Sequence, residues 1–178
     1  EFFAMNGYPV NLYEPYEPMR LSCLDTIKGE LEFLAENELI KAEEVQESLD
    51  RITLFADLAP AVKDVDYVIE ATREDLTLKQ DLFADLEKYT KPETILASNT
   101  SSLALNKMIE KVSDEKKGKC MVCHWYNPAH LMPLVELSFF GNMDEETFKE
   151  VEELYDRAGK QTCRVLKDVP GLVANRIQ

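Results

Sequence analysis

The run Thr94-Ile95-Leu96-Ala97, followed directly by Ser98-Asn99-Thr100-Ser101-Ser102, decides the class of fold. A short apolar run that ends in polar residues is typical of a buried strand, and the polar residues suit the N-cap of a following helix. The same alternation of short apolar runs with longer amphipathic ones continues in both directions along the chain. It predicts βαβ units and a mostly parallel sheet, with the polar run at the carboxyl edge, where α/β proteins bind ligands.

Outward from this run, the pattern predicts secondary structure over nearly the whole chain. The predicted strands cover residues 8–13, 52–55, 67–70, 94–97, 120–124, 134–139 and 162–166. The predicted helices cover residues 1–6, 18–37, 42–49, 78–86, 103–112 and 145–158. Strands alternate with helices along most of this order, as they do in α/β domains with a parallel sheet.

Composition narrows the class of partner. Acidic residues outnumber basic ones 34 to 20, which gives a formal net charge of −14. Such a surface repels phosphate backbones and anionic lipid, so we expect neither a nucleic-acid nor a membrane partner. The chain has four cysteines in 178 residues, and they lack the density of a disulfide scaffold, so we expect a reducing cytoplasmic location.

His124 and Glu136 form a candidate catalytic pair. His124 ends one predicted strand, and Glu136 lies inside the apolar run of the next. A carboxylate in an apolar strand needs a partner, because burying it unpaired is very costly. If the two strands lie side by side, the pair forms an oriented general base. The alternatives are a structural histidine and a glutamate on the exposed face of an edge strand.

Glu14 is a candidate for binding the ribose of a dinucleotide, because it ends the predicted strand 8–13. The alternative is an ordinary surface acid at the end of a strand. The chain has no Gly-x-Gly-x-x-Gly segment, which in a dinucleotide domain lies about 20 residues before such an acid. We therefore expect the first strand and its glycine-rich loop to precede residue 1, and the chain to stop inside a helix.

The segment Cys120-Met121-Val122-Cys123-His124 matches the Cys-x-x-Cys-His signature of covalent haem attachment. Haem or metal binding requires the two cysteines to converge on one point, as they do in a turn or a helix. On a strand, residues three apart face opposite sides of the sheet. The flanking composition favours a strand, so we expect no metal and no haem.

Several motifs together resemble the 3-hydroxyacyl-CoA dehydrogenase family. They occur in order and at matching spacings along the whole chain: Val68-Ile69-Glu70-Ala71 with Glu74-Asp75-Leu76 and Leu78-Lys79, Ala97-Ser98-Asn99-Thr100-Ser101-Ser102-Leu103, His124-Trp125-Tyr126-Asn127-Pro128, Met132-Pro133-Leu134-Val135-Glu136, and Asp168-Val169-Pro170-Gly171 with Asn175-Arg176.

The resemblance implies an NAD-dependent oxidoreductase that converts a 3-hydroxyacyl-CoA to a 3-ketoacyl-CoA in fatty-acid β-oxidation. It implies a truncated Rossmann-like, doubly wound domain over residues 1–170, and the start of a C-terminal helical domain, which forms a homodimer, at residues 171–178. The residues that it implicates in catalysis are His124, Glu136, Ser101 and Asn175. Those that it implicates in NAD binding are Glu14, Glu74, Lys79, Ser101 and Asn127, and those near the substrate are Ser101, Asn99 and Asn175.

Two alternatives stay open beside this activity. The helix 18–37, which the resemblance assigns to CoA phosphates, carries only Arg20 and Lys28 against four acidic residues. This keeps open a dehydrogenase of free hydroxy acids, similar to gulonate or carnitine dehydrogenases. A chain without the phosphate loop is also expected to be inactive by itself, which keeps open a non-catalytic binding module.

Overall fold

The computed structural model describes residues 1–167 and Leu172, and its strands form two sheets. The helices are α1 Phe2–Met5, α2 Glu17–Glu36, α3 Ala42–Asp50, α4 Leu58–Val62, α5 Leu76–Tyr89, α6 Leu105–Met108, α7 Asp114–Lys117 and α8 Glu145–Arg157. The strands are β1 Val10–Tyr13, β2 Ile52–Phe55, β3 Tyr67–Glu70, β4 Ile95–Ser98, β5 Cys120–Trp125, β6 Leu134–Ser138 and β7 Gln161–Arg164. Within the described residues, no helix is long and apolar enough to cross a bilayer.

The first compact unit, Glu1–Val62, contains the parallel pair β1–β2 and the helices around it. Helix α2 buries Ile27, Leu31 and Leu34, whose spacing of four and three residues places them on one face. Ala4, Val45 and Ile52 complete this core. The unit therefore places the end of β1, and with it Glu14, on a packed support.

The second compact unit, Lys63–Gln178, contains a five-stranded sheet in the order β3-β4-β5-β6-β7. All neighbouring strands in it are parallel except β5 and β6, which are antiparallel. The mostly parallel α/β sheet expected from the sequence is thus confirmed. Because parallel strands point the same way, β3, β4 and β5 end at one edge of the sheet, and the polar run 98–102 lies there.

The structure corrects the helix expected at 103–112. Only Leu105–Met108 forms a helix there, and its N-cap is Ala104 rather than a residue of the polar run. The Thr100 hydroxyl instead accepts hydrogen bonds from the backbone N–H of Ser102 at 3.3 Å and of Leu103 at 3.0 Å. Such local side-chain bonds compete with helix formation, so the polar run forms a turn of its own.

A buried ion pair joins β3 to α5 in the second unit. Lys79 Nζ lies 2.8 Å from Glu70 Oε1 and 2.9 Å from Oε2, and both side chains are at most 1% exposed. The ammonium also donates to the Thr72 carbonyl at 3.2 Å, and the Ser98 hydroxyl donates to Glu70 Oε2 at 2.6 Å. A buried charge is tolerated only when it is paired and hydrogen-bonded, and here both charges are.

We expect Lys79→Met to lower the free energy of unfolding by about 3–5 kcal/mol, because it leaves the Glu70 carboxylate buried without its counter-charge. Urea denaturation, followed through the fluorescence of Trp125, measures the loss. Lys88→Met is the matched control, since this lysine lies in the last turn of the same helix and is exposed. An unfolding midpoint that is equal in the two variants would show that the pair does not hold β3 to α5.

Candidate active site

Asn99 ties together the ends of three strands at the carboxyl edge of the five-stranded sheet. Its backbone N–H donates to the carbonyl of Glu70 at 2.7 Å, at the end of β3. Its side-chain Oδ1 accepts from the backbone N–H of Trp125 at 2.9 Å, at the end of β5. The residue next to the catalytic candidate His124 is therefore held in place by the polar run that follows β4.

Glu74 holds the polar turn through its carboxylate. Its Oε1 accepts from the backbone N–H of Ser101 and the hydroxyl of Thr100, both at 2.8 Å, and Lys79 Nζ lies 3.6 Å from its Oε2. Although partial burial raises the pKa of Glu74, the bonds from Ser101 and Thr100 and the charge of Lys79 together hold it below its usual value. The structure thus brings three expected site residues, Glu74, Lys79 and Ser101, into one cluster around an ionised carboxylate.

His124 and Glu136 meet across the antiparallel pair β5–β6. The two residues stand directly opposite each other in the strand register, which places their side chains on the same face of the sheet. His124 Nδ1 lies 3.0 Å from Glu136 Oε2, with side chains only 8% and 1% exposed. The contact expected from the sequence is therefore present, and the alternative of an exposed edge-strand glutamate is wrong.

Tyr126 forms a second contact with the same carboxylate oxygen. It lies two residues beyond His124 and so projects on the same side of the chain. Its hydroxyl donates to Glu136 Oε2 at 2.6 Å, and its ring meets the His124 ring edge-on at 4.7 Å between centroids. Burial, followed by the hydrogen bond to Glu136, raises the pKa of Tyr126 well above its usual value, so its hydroxyl keeps its proton at neutral pH.

Lys160 holds the loop that joins the two strands of the pair. Lys160 lies just before β7 begins. Its ammonium donates hydrogen bonds to the carbonyls of Ala129 and Met132, which lie in the loop between β5 and β6. The ammonium also lies 5.0 Å from the centre of a Trp125 ring. The loop between His124 and Glu136 is thus restrained by hydrogen bonds from outside the hairpin, which helps to keep the two strands in register.

The two cysteines before His124 do not converge. Cys120 and Cys123 both lie on β5, three residues apart and hence on opposite faces, as the sequence predicted. Cys120 Sγ contacts the carbonyl of Lys116 at 3.3 Å, whereas Cys123 Sγ contacts the hydroxyl of Tyr155 at 2.7 Å. Burial raises the pKa of Cys120 to about 12 and that of Cys123 to about 11, so both remain thiols. This geometry gives no support to haem or metal binding by the pair.

The remaining expected site residues lie elsewhere. Glu14, in the first unit, follows β1 and accepts the backbone N–H of Tyr16 through Oε1 at 2.8 Å. Asn127 is exposed in the loop after β5, and Asn175 lies outside the described residues. A partly exposed carboxylate at the end of a parallel strand can accept hydrogen bonds from the two hydroxyls of a ribose, so Glu14 fits this part of a dinucleotide.

Sequence reasoning missed the supporting residues Glu70, Ser98 and Lys160, and gave no role to the Tyr126 hydroxyl. Glu70 was detectable, because it ends the apolar run 67–70 as an acid that needs a partner, as Glu136 does. Tyr126 and Lys160 carry no comparable signal. Their roles depend on contacts between residues 10 and 28–31 positions apart, which strand periodicity does not encode.

Comparisons with known proteins give the family. The model of the 3-hydroxyacyl-CoA dehydrogenase NAD binding domain matches residues 1–169. Rabbit (Oryctolagus cuniculus) lambda-crystallin is 32% identical over 99% of this chain and 55% of its own length. The fatty acid oxidation complex subunit alpha of Vibrio campbellii is 45% identical over 64% of this chain and 16% of its own length.

Solved structures agree with this family. A crystal structure of 3-hydroxybutyryl-CoA dehydrogenase from Escherichia coli K12 superposes with a TM-score of 0.91 at 29% identity, over 99% of this chain and 36% of that one. The chain spans about half the length, 55%, of the lambda-crystallins that it matches. The match over residues 1–169 shows that the chain belongs to the 3-hydroxyacyl-CoA dehydrogenase family, in its NAD-binding domain, and that its cofactor is NAD.

Proposed function

We propose that the protein oxidises a 3-hydroxyacyl-CoA to the 3-ketoacyl-CoA in fatty-acid β-oxidation, with His124 as general base and Glu136 as its orienting partner. The observation that carries the proposal is the buried contact of 3.0 Å between His124 Nδ1 and Glu136 Oε2. The Escherichia coli relative is named a 3-hydroxybutyryl-CoA dehydrogenase, and the Vibrio relative a subunit of a fatty acid oxidation complex. Expectations of a homodimer and a cytoplasmic location stay predictions.

The pair has the arrangement that proton transfer from an alcohol requires. Because Glu136 engages Nδ1, the histidine presents Nε2 to the substrate. Nε2 takes the proton of the 3-hydroxyl, and the resulting imidazolium is stabilised by the carboxylate on its other side. When bound, NAD would supply the acceptor for the hydride, a proton with its electron pair, that leaves carbon 3. We assign Ser101, Asn99 and Asn175 to the substrate oxygen, on the family resemblance.

The NAD-binding residues divide between direct and supporting roles. We assign Glu14 to the adenosine ribose, and Glu74, Ser101 and Asn127 to the rest of the cofactor. Lys79 is 1% exposed and engages Glu70, Thr72 and Glu74, so we propose that it serves NAD by holding Glu74 and its turn. A cofactor oxygen then meets an already fixed set of donors and acceptors, which lowers the entropic cost of binding.

A free hydroxy acid is the second candidate substrate, and the surface of α2 favours it. Both basic residues of this helix already have partners within the protein. Arg20 donates to the carbonyls of Glu14 and Pro15 at 2.8 and 3.3 Å, and Lys28 lies 3.6 Å from Glu32. With five acidic residues on the same helix, this surface repels phosphate. Comparing kcat/KM for 3-hydroxybutyryl-CoA with that for free 3-hydroxybutyrate decides between the two substrates.

For the catalytic pair, we expect His124→Gln to lower kcat by about 10²–10⁴-fold in the natural protein, because general-base catalysis contributes rate enhancements of that size. NADH affinity, measured by fluorescence titration, stays within about twofold. Glu136→Gln is also expected to lower kcat strongly. The double variant loses far less than the product of the two single losses, because the residues act as one unit.

His130→Gln is the matched control, since His130 is the chain's other histidine and lies in the neighbouring loop. It is expected to keep kcat within about threefold. Turnover near the parental rate in His124→Gln would refute the general-base assignment. Unmeasurable turnover in the parent, with NADH bound normally, would instead favour the binding-module alternative.

Glu14 is expected to set the preference for NAD over NADP, because a ribose 2′-phosphate would lie against its carboxylate. We expect kcat/KM to be at least about tenfold higher with NAD, a difference of about 1.4 kcal/mol. Glu14→Gln should narrow this ratio, whereas Glu17→Gln, an exposed acid in the first turn of α2, should leave it unchanged. Equal efficiency with both cofactors in the parent would remove Glu14 from the ribose site.

A further inference from the structure

We propose that Tyr126 is a positioning residue of the His124–Glu136 pair, and that its hydroxyl moderates the negative charge that Glu136 presents to the imidazole. The inference rests on the proposed function, since it concerns how the general base is set. It assigns a role to the side chain of Tyr126, to which the family resemblance through the motif His124-Trp125-Tyr126-Asn127-Pro128 assigned none.

The geometry places both donors on one acceptor atom. Glu136 Oε2 receives the Tyr126 hydroxyl at 2.6 Å and faces His124 Nδ1 at 3.0 Å. The Tyr126 ring also packs edge-on against the imidazole at 4.7 Å. The tyrosine therefore touches both members of the pair, and it restricts the rotation of the carboxylate and the tilt of the imidazole.

The shared oxygen determines the direction of the electrostatic effect. A hydrogen bond to a carboxylate oxygen draws electron density towards the donor, and bonds to ionised acceptors are the strong ones. The hydroxyl thus reduces the charge of the oxygen that faces the imidazole. The imidazolium that forms when His124 takes a proton is therefore stabilised less than it would be by a carboxylate without this donor.

Other groups around the pair are the same in the parent and in the variants. Among the described residues, Glu136 on β6 stands opposite His124, and Tyr126 follows β5. On β7, Cys163 stands opposite Glu136 in the parallel register, and a negative charge on its thiolate would act on Tyr126. This thiol is part of the surroundings in both the parent and the variants described below, so a comparison between them isolates the hydroxyl.

The test is the pH dependence of kcat/KM for oxidation in Tyr126→Phe, which removes the hydroxyl and keeps the ring. We expect the acidic limb of the pH profile of kcat/KM to move to higher pH by roughly 0.5–1 unit. At a fixed pH on that limb, kcat/KM then falls by about three- to tenfold. The plateau at high pH stays within about threefold. Replacing Tyr126 by 3-fluorotyrosine, a similar ring with a more acidic hydroxyl, is expected to move the limb in the opposite direction.

Tyr67→Phe is the matched control, because it also removes a hydrogen-bonded tyrosine hydroxyl, one that lies 3.0 Å from the Tyr155 hydroxyl. It is expected to leave the limb in place. A limb that does not move in Tyr126→Phe, or moves to lower pH, overturns the inference, as does a 3-fluorotyrosine shift in the same direction as that of Phe.

The result does not depend on turnover alone. NMR titration of the His124 ring, identified by its loss in His124→Gln and compared with His130, reports the same shift without substrate. If His124→Gln keeps its activity, the proposed function fails, whatever the titration shows. If His124→Gln is inactive and the His124 titration is equal in parent and Tyr126→Phe, only the role of Tyr126 fails.

Discussion

The antiparallel register of β5 and β6 is the constraint on which the site depends. It sets His124 opposite Glu136, and it is the one antiparallel pairing among the strands of the five-stranded sheet. Side chains alternate between the two faces of a strand, so a slip of one residue would move Glu136 to the other face. The carboxylate would then be buried without its partners, at a cost of several kcal/mol. Folding and assembly of the pair are thus the same event.

A second buried acid organises the other half of the site. Glu70 ends β3, pairs with Lys79 on α5 and accepts the hydroxyl of Ser98 at the end of β4. Lys79 also lies near Glu74, which holds the backbone and hydroxyl groups of the turn 100–102. The chain of contacts runs from the core to the carboxyl edge, so the position of Ser101 depends, through the partly exposed Glu74, on a buried ion pair.

Much of the fold could be predicted from the hydrophobic periodicity of the sequence. Less of the candidate active site could be predicted in this way. The strands 52–55 and 67–70 have the expected bounds, because short apolar runs between polar residues leave few alternatives. The helix expected at 103–112 is wrong in its length, because only Leu105–Met108 is helical. The Thr100 hydroxyl accepts a hydrogen bond from the nearby backbone N–H of Leu103, and hydrophobic periodicity gives no information about such a bond. The helices Leu58–Val62 and Asp114–Lys117 were missed, because four or five residues are too few to show a period. The His124–Glu136 contact was expected from the cost of burying Glu136, on the condition that the two strands lie side by side.

The two buried acids differ in their partners, and the difference matches what each position requires. Glu70 faces the ammonium of Lys79 at 2.8 Å, in an ion pair that is buried on both sides. That ion pair holds α5 against β3. Glu136 faces an imidazole and a phenol, and imidazole is the side chain that gains and loses a proton near neutral pH. A permanent cation opposite Glu136 would satisfy the carboxylate equally well and transfer nothing. Where the proposed reaction moves a proton, the fold therefore buries an acid beside an imidazole, and where only position matters it buries one in an ion pair with a lysine.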